Sequence, residues 1–469
     1  NPNEDVGTIE RFYRGDTMGV FYFESPATRQ LLQKVAHGLS LADYLQRDHY
    51  QLNVIVTSII RPASNQYIQE WVKRLHGAPW SHLHPLLKPV LDETLGVMVY
   101  QEQMSQAAMH LAGFDPASAD LLRKIVSKKH KARQLRDYHR QFVSGARQRG
   151  VRDEIIEQVW QMILSFEGYS FCKPHSASYT LVAYKSAWLR AHYPAEFMAA
   201  VLSNRGGYYS PFGYISEARR MGLTVLMPDI NASEIHYVGR GRSLRIGLMQ
   251  LKGVAHKTLK ALIRNRAAGP FRSLQDFLDR VRAEPADVKI LIKAGCFDDV
   301  EKDRSRPQLL WQLHLHTARH PARSLDLFQE DSSSLSTLPA PPQSDMKTML
   351  RDELAILGFL ASRHPLTLYE DRLKNVPYVR AHQLNKFVNK RVQTIGWLIT
   401  AKTVSTKNSE LMEFISFEDT TALYETTFFP KAYERFVHLL SHTRPYILQG
   451  RVESNFGAVT LTVESVRFL

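Results

Sequence analysis

Cysteine is nearly missing from this sequence, since Cys172 and Cys296 are the two present among 469 residues. Two cysteines cannot build a disulfide framework or a four-cysteine zinc site, and this usage is typical of the reducing cytoplasm, where we expect the protein. No apolar run approaches the roughly 18 residues of a transmembrane helix, so no membrane partner is expected. The first residues lack a secretory signal and a starting Met. We therefore expect the chain to be a portion of a longer polypeptide.

Acidic residues are also scarce relative to basic ones. The 60 Lys and Arg against 46 Asp and Glu leave a net charge of +14. This excess points first to nucleic acid or another polyanion as the partner, although a generally basic solvated surface would give the same balance. An apolar fraction of 44% fits a folded chain, and the length is sufficient for three or four modules.

The densest basic run lies between residues 123 and 152. Apolar residues from Leu121 to Val143 recur at helical spacing, which predicts helices with one buried stripe and one basic face. A solvated face would interleave acids with bases, and this run contains few acids. We therefore predict phosphate contact along it, with Lys128, Lys129 and Lys131 as DNA-binding residues.

A second candidate for phosphate contact lies in residues 244–266, where apolar periodicity flanks a short turn. This pattern is typical of a helix–hairpin–helix, whose turn offers backbone N–H groups to a DNA phosphate. The usual second glycine is replaced by Ala255, and an ordinary helical hairpin is the alternative. The predicted contacts are Lys252, Gly253, Val254, Ala255 and Lys257. A second such unit is possible in residues 288–297.

Composition changes twice more toward the end of the chain. Residues 321–345 are rich in Ser, Pro and Asp, which predicts a linker. Apolar Leu325, Leu327 and Phe328 inside it suggest a peptide docked on a partner, or one that folds back on a neighbouring domain. After residue 385, five β-rich runs and one helical stretch predict an OB-fold, a module that commonly binds single strands. Its aromatic residues include stacking candidates, although most are expected in the core: Phe414, Phe417, Tyr424, Phe428 and Phe429.

Taken in order, these segments resemble the bacterial DNA polymerase III alpha subunit, a C-family polymerase. The motifs that carry the resemblance are GDTMGVFYFES at 15–25, RPAS at 61–64, GVMVYQEQM at 96–104, ADLLRKIVSKK at 119–129, FEGYSFCKPHSASYTLVAYKSAWLRAHYPAEFMAAVL at 166–202 and LGFLASRHPL at 357–366. The chain ends at the predicted OB-fold, which resembles the error-prone branch of the family.

The resemblance implies a multidomain α+β architecture. Mostly helical polymerase fingers would occupy residues 1–232, and a helix–hairpin–helix region that binds duplex would follow at 233–320. A linker with a clamp-binding peptide and a return helix would fill 321–384, and a C-terminal β-barrel OB-fold 385–469. The sliding-clamp peptide would be Ser324, Leu325, Asp326, Leu327 and Phe328, where the motif usually begins with Gln.

The resemblance also implies which residues meet the incoming dNTP. These are Arg123, Lys124, Lys173, His175 and Ser176, because cations and polar donors neutralise a triphosphate. The family's palm aspartates, which hold two Mg²⁺ ions, have no counterpart here. We therefore expect Mg²⁺ in the parent polymerase only, and no catalytic or metal-binding residue and no independent polymerisation in this chain.

The implied role is the C-terminal part of a DNA-directed DNA polymerase in replication or error-prone repair synthesis. Its expected partners are primer–template DNA, the sliding clamp and the palm domains of the parent chain. Two alternatives remain open. In the first, the chain is a split-polymerase subunit that needs a separate palm chain. In the second, it is a non-catalytic DNA-binding accessory protein whose nucleotide pocket has drifted, as Lys124 in place of Arg suggests.

Overall fold

The computed structural model describes residues 1–61, 65–127, 132–166, 171–319, 341–406, 408–440 and 444–469. The chain divides into two compact units. Unit 1 comprises Asn1–His192 with Ser454–Val459, and unit 2 comprises Tyr193–Glu453 with Thr460–Leu469. The four-module division expected from the sequence stays a prediction.

Unit 1 is helical. Its helices are α1 (Val6–Arg14), α2 (Pro26–Ala36), α3 (Leu41–Leu45), α4 (His49–Ile59), α5 (Asn65–Leu75), α6 (Lys88–Leu91), α7 (Gln101–Ala112), α8 (Pro116–Val126), α9 (Ala132–Gln148), α10 (Asp153–Leu164) and α11 (Lys173–His192). Short polar side chains cap several of them: Asp5, Ser25 and Asp115 each accept a backbone N–H from the first helical turn.

The core of unit 1 contains a polar seam between α4 and α11. The Tyr184 hydroxyl accepts from Asn53 Nδ2 at 2.8 Å, and the Thr57 and Thr180 hydroxyls lie 3.1 Å apart. The Ser58 and Ser176 hydroxyls are 2.5 Å apart. Because these paired hydroxyls have partners, the seam avoids the cost of leaving them unsatisfied and fixes the register of the two helices.

The basic run folds as predicted into two helices, α8 and the described part of α9. Leu122, Val126 and Phe142 are buried, but Leu121 is exposed by 49%, so its assignment to the buried stripe was wrong. The few acidic residues of this run neutralise several of its basic residues. Asp120, Asp137 and Asp153 lie next to basic residues and pair with Arg123 and Lys124, with Arg140, and with Arg147 respectively.

Unit 2 mixes helices with two sheets. Its helices are α12 (Pro194–Asn204), α13 (Pro211–Arg220), α14 (His256–Arg266), α15 (Leu274–Val281), α16 (Pro285–Lys293), α17 (Arg306–Arg319), α18 (Met346–Leu357), α19 (Glu370–Leu373) and α20 (Pro430–Phe436). A small sheet joins β1 (Thr224–Leu226), β2 (Val238–Arg240) and β3 (Ser243–Arg245) in the order β1-β3-β2. Among the described residues, no helix has both the length and the apolar character needed to cross a bilayer.

The last five strands close into a barrel. They are β4 (Arg391–Ser405), β5 (Leu411–Glu418), β6 (Leu423–Phe428), β7 (Pro445–Asn455) and β8 (Ala458–Phe468), in the order β4-β5-β6-β8-β7. β4 pairs with both β5 and β7, while β6 pairs with β8 in parallel. Helix α20 lies between the third and fourth strands. This Greek-key arrangement is that of an OB-fold, so the predicted multidomain α+β fold class is confirmed.

Two local predictions were wrong. The segment before the Lys252 turn is strand β3 followed by a single 3-10 turn at Leu248–Gln250, where apolar periodicity had predicted a helix. The two-residue spacing of His82 and His84, and of His314 and His316, predicts that each pair shares one face of a strand, but neither pair lies on a strand. His84 accepts from the Leu86 N–H beside a 3-10 turn, and His314 and His316 lie on α17.

A buried carboxylate joins three segments of unit 2. Glu418, at the end of β5, has no exposed side-chain surface and accepts from Ser216 Oγ at 2.6 Å, Arg220 Nη1 at 2.6 Å and His364 Nε2 at 3.0 Å. Burial opposes its ionisation, but the hydrogen bond from His364 and the charge of Arg220 outweigh that effect, so its pKa lies below the usual value. Adjacent acids such as Glu418 and Asp419 are expected in sequence to cap or solvate a turn. Asp419 does so, since it accepts the Thr421 and Ala422 N–H groups, but for the buried Glu418 the expectation is wrong.

We predict that Glu418→Gln destabilises unit 2 by about 3–5 kcal/mol, because it leaves the Arg220 charge without its carboxylate in a buried site. Hydrogen exchange of the β4 and β5 amides measures this loss. Glu410→Gln, on the exposed hairpin of the same barrel, is the matched control and should leave exchange unchanged. Because the folded pKa of Glu418 is lowered, its contribution should be complete above pH about 4.5 and disappear as the pH falls through the folded pKa. Equal exchange in the two variants would contradict the assignment.

Candidate functional site

The start of helix α7 organises a polar cluster in unit 1. The Gln101 side-chain oxygen accepts from Arg123 Nη1 at 2.7 Å, and the Gln101 backbone N–H donates to the Phe171 carbonyl at 3.0 Å. One carboxylate oxygen of Glu102 accepts the Lys173 backbone N–H at 3.2 Å. The YQEQ segment thus brings Arg123 and Lys173, 50 positions apart in the sequence, to one place.

The next residue of that segment, Gln103, is a fully satisfied buried amide. Its oxygen accepts the N–H groups of Val99 and Tyr100 at 2.7 and 3.0 Å. Its nitrogen donates to the Val90 carbonyl at 3.0 Å and to Thr94 Oγ1 at 2.9 Å. Four bonds from one side chain fix the loop before α7, which carries Tyr100 and Glu93 to the cluster.

The cations of this cluster are neutralised by acids of the same unit. Asp120 accepts from both Arg123, at 2.8 Å, and Lys124, at 2.7 Å, and the hydrogen bonds from Lys124 and Arg123 lower its pKa. Lys173 pairs with Glu93, which also accepts from Gln51. Burial raises the pKa of Tyr100, and the charges of Glu93 and Glu102 raise it further, so the phenol stays protonated beside the cations.

His175, two residues after Lys173, belongs to an aromatic cluster. Its ring stacks on Phe171, with centroids 5.1 Å apart, and contacts Tyr179 at 4.0 Å. Tyr22 packs edge-on against both Phe171 and Tyr179. The predicted dNTP residues Arg123, Lys124, Lys173 and His175 therefore belong to one polar and aromatic surface.

Ser176 differs from the other predicted dNTP residues. It is fully buried in the seam with Ser58, so its hydroxyl is not part of that surface. Arg61, from the RPAS motif, is also buried: its guanidinium lies 3.7 Å from the Phe166 ring centroid and donates to the Met98 carbonyl. Burial lowers its pKa to about 10.

The predicted phosphate-binding turn of unit 2 has a defined backbone. Gly253 has φ +90°, which favours glycine, whereas Ala255 has φ −66°, so the missing second glycine imposes no strain. The Ala255 N–H donates to Asp287, and the Thr258 hydroxyl donates to the same carboxylate. In the part of the chain that the structure describes, the N–H groups of Gly253 and Val254 have no hydrogen-bond partner. Lys252 and Lys257 are exposed beside them.

The barrel aromatics divide as expected into core and surface. Phe417, Tyr424 and Phe428 are buried, while Phe414 and Phe429 are exposed by 45% and 47%. Phe414 is paired across the sheet with Lys402 on β4 and Thr427 on β6. An exposed ring beside a lysine is a suitable platform for a nucleic-acid base.

Several predicted residues lie outside the described ranges: Lys128, Lys129 and Lys131 of the basic run, and Ser324, Leu325, Asp326, Leu327 and Phe328 of the clamp peptide. Within those ranges, no three His, Cys, Asp or Glu side chains come together to hold a metal ion. Asp120 and Glu93, two carboxylates of the cationic cluster, pair with Arg123, Lys124 and Lys173.

Two regions of this chain match known family models. Residues 1–150 match the family model of the bacterial DNA polymerase III alpha subunit finger domain, and residues 222–307 match that of the helix-hairpin-helix motif. The DNA polymerase III alpha subunit of Aquifex aeolicus is 32% identical over all of this chain. The chain is therefore similar to a portion of the bacterial DNA polymerase III alpha subunits, including their finger domain.

Two further DNA polymerase III alpha subunits give the same result. Those of Thermus aquaticus and Staphylococcus epidermidis are 32% and 30% identical over 96% and 99% of this chain. The chain spans 39%, 38% and 43% of the Aquifex, Thermus and Staphylococcus proteins. The predicted resemblance is confirmed.

Sequence reasoning missed Glu93, Gln101 and Glu102, although the YQEQ motif had been noted. The motif indicates resemblance to the family, but nothing in it shows that Gln101 contacts Arg123. Their contact depends on the packing of α7 against α8, which side-chain spacing along one helix does not reveal.

We predict that Gln103→Leu destabilises the loop before α7 by about 2–4 kcal/mol, because the buried N–H groups of Val99 and Tyr100 lose their acceptor. Faster hydrogen exchange at residues 97–103 in the full chain is the expected result. Gln106→Leu, an exposed glutamine on the same helix, is the matched control. If both variants exchange alike, Gln103 does not hold this loop.

Proposed function

We propose that this chain is the fingers-to-OB-fold portion of a DNA-directed DNA polymerase that binds primer–template DNA and the incoming dNTP. The observation that carries the proposal is the joining of Arg123 and Lys173 by the first turn of α7. A triphosphate needs several cations in one place, and these two come from separate helices.

Triphosphate binding would proceed by exchange of ion-pair partners. Arg123 and Lys124 share Asp120, and the side chains of this trio are 30% to 57% exposed. Exposed pairs contribute little free energy, so a phosphate can replace the carboxylate at small cost. Gln101 would hold the Arg123 guanidinium during the exchange. We assign Ser176 to the helix seam, and His175 to the aromatic cluster that supports Lys173.

Duplex binding would use the turn at residues 252–255 and the exposed Lys257. The free N–H groups of Gly253 and Val254 precede helix α14, whose N-terminal dipole favours an anion. Single-stranded template would contact the barrel face around Phe414. The clamp peptide at residues 324–328 remains part of the proposal on its sequence alone.

The chain has no carboxylate set suited to metal-assisted nucleotidyl transfer in its described residues, so we propose that it does not extend primers alone. Mg²⁺ chemistry would come from the palm of the parent polymerase.

A second candidate function is that of a split subunit that becomes active with a separate palm chain. Helix α11 favours it, because Leu181, Val182 and Leu189 are exposed by 42%, 47% and 46%. Val182 and Leu189 are seven positions apart and share one helical face, with Leu181 at its border, and exposed apolar surface of this kind marks sites of protein contact. A non-catalytic accessory protein would retain DNA binding but lose the triphosphate site.

We expect steeply salt-dependent binding to a primer–template junction and no extension in Mg²⁺ with dNTPs. Fluorescence anisotropy across a salt series measures the first, and gel analysis of the primer the second. Lys257→Gln should reduce the salt slope by about 1, because it removes one phosphate contact. Lys374→Gln, an exposed lysine paired with Asp371, is the control. Extension by the pure chain would contradict the proposal, as would an absence of binding at low salt.

We predict that Arg123→Gln and Lys173→Gln each weaken dATP binding about tenfold or more, because each removes a charge-assisted hydrogen bond. Equilibrium dialysis measures the affinity, with and without a supplied palm domain. Arg140→Gln, an ion-paired arginine on α9, is the matched control. Unchanged affinity in both site variants, with measurable binding, would favour the accessory-protein alternative.

A further inference from the structure

Unit 2 contains a cavity beside the phosphate-binding turn to which no role has been assigned. Its volume is about 540 Å³, within the roughly 300–1,000 Å³ typical of small-molecule sites. The end of α12, the start of α13 and the 3-10 turn before Lys252 form its walls.

The charge of the cavity wall has one sign. Arg205 and Lys252 line it, and none of the described residues around it is acidic. Arg205 Nη2 donates to the Met249 carbonyl at 2.6 Å, and neither cation has a carboxylate partner in the described chain. This arrangement contrasts with the cluster of unit 1, where Arg123 and Lys173 are each neutralised by a carboxylate of the same unit.

The rest of the wall is aromatic and apolar. Tyr209 and Tyr214 are 6% and 3% exposed and pack edge to face, with ring centroids 5.9 Å apart. Pro211, Leu202 and Leu251 complete this side. One wall thus suits a planar or sugar-like moiety, and the cationic rim suits an anion.

The cationic rim is held in place by helix α18. The Lys252 N–H donates to the Ile356 carbonyl at 3.0 Å, and Gln250 Nε2 donates to the Leu357 carbonyl at 2.7 Å. A Cβ at Gly358 would lie 2.6 Å from Lys252 Nζ, so glycine there leaves room for the lysine. The free Gly253 N–H follows directly, which places a backbone donor beside the rim.

We propose that this cavity binds one nucleoside phosphate unit, with the phosphate at Arg205, Lys252 and the Gly253 N–H, and the nucleoside against Tyr209 and Tyr214. The unit comes either from an unpaired nucleotide of DNA held at the turn or from a free mononucleotide. The first source rests on the proposed function, because it requires that the turn at residues 252–255 meets DNA.

The test uses the full chain and two kinds of probe. One is dAMP, compared by calorimetry with deoxyadenosine and inorganic phosphate. The other is a blunt duplex, compared by anisotropy with the same duplex carrying a three-nucleotide unpaired extension. Arg205→Gln should weaken dAMP binding and the gain from the extension about tenfold, and leave blunt-duplex affinity unchanged.

Arg282→Gln is a closely matched control. Arg205 and Arg282 are both exposed, both end a helix and both have φ +50°. Tyr209→Leu should weaken dAMP but not inorganic phosphate, and its melting temperature reports whether it folds. An iododeoxyuridine placed in the extension should crosslink to Tyr209 or Tyr214, which remains informative if that variant unfolds.

The outcomes separate the two sources and the two hypotheses. Binding of dAMP without a gain from the extension identifies a free mononucleotide, and a gain from the extension that Arg205→Gln removes identifies DNA. Both support the site. Equal binding of phosphate and dAMP, or no effect of Arg205→Gln on either probe, overturns it. Normal duplex binding with no effect at the cavity refutes the cavity alone, whereas absence of all DNA binding refutes the proposed function.

Discussion

The buried Glu418 carboxylate is the interaction on which the arrangement of unit 2 depends. Two of its three donors come from helix α13 and one from the loop after α18, so one charge ties β5 to segments 202, 198 and 54 positions away. Taking a carboxylate and a guanidinium out of water is costly, and the cost is offset only when the remaining lone pairs find donors. Ser216 and His364 supply them. The site therefore tolerates one relative placement of α13, the His364 loop and β5.

The cationic cluster of unit 1 follows a different rule. Its ion pairs lie at the surface, where water screens them and partner exchange is cheap. Behind it lies the buried Gln103 amide, which bonds to four polar groups at once. The unit thus separates what must stay fixed, the loop that carries Glu93 and Tyr100, from what must be released to a ligand. The cavity of unit 2 differs from both sites, because Arg205 and Lys252 have no carboxylate partner among the described residues.

Local periodicity was sufficient to predict much of the fold. The strand runs of the barrel and the helices of the basic run follow from patterns that involve neighbouring residues. The helix expected before Lys252 failed, because a short apolar run fits a strand and a 3-10 turn as well as a helix. The predicted burial of Leu121 was wrong for a related reason. Helical spacing identifies an apolar stripe, but it does not show which border of that stripe the neighbouring helix covers.

The site was predictable in its residue types but not in its pairings. Motif resemblance selected Arg123, Lys173 and His175, yet the buried position of Ser176 depends on α4, more than 100 positions away. The same holds for Glu418, which reads in the sequence as one of two ordinary turn acids. Long-range polar partners are chosen by tertiary packing, and single-sequence patterns carry no information about them.

The hydrogen bonds from Gln250 and Lys252 to the C-terminal carbonyls of helix α18 have a mechanical consequence. A helix whose terminal carbonyls bond only to water can slide or fray without disturbing its surroundings, but here two of those carbonyls bond to donors at and just before the turn. Movement of α18 along its axis must either drag that turn or break both bonds. A displacement of α18 would therefore be transmitted directly to residues 250–252 through these two hydrogen bonds.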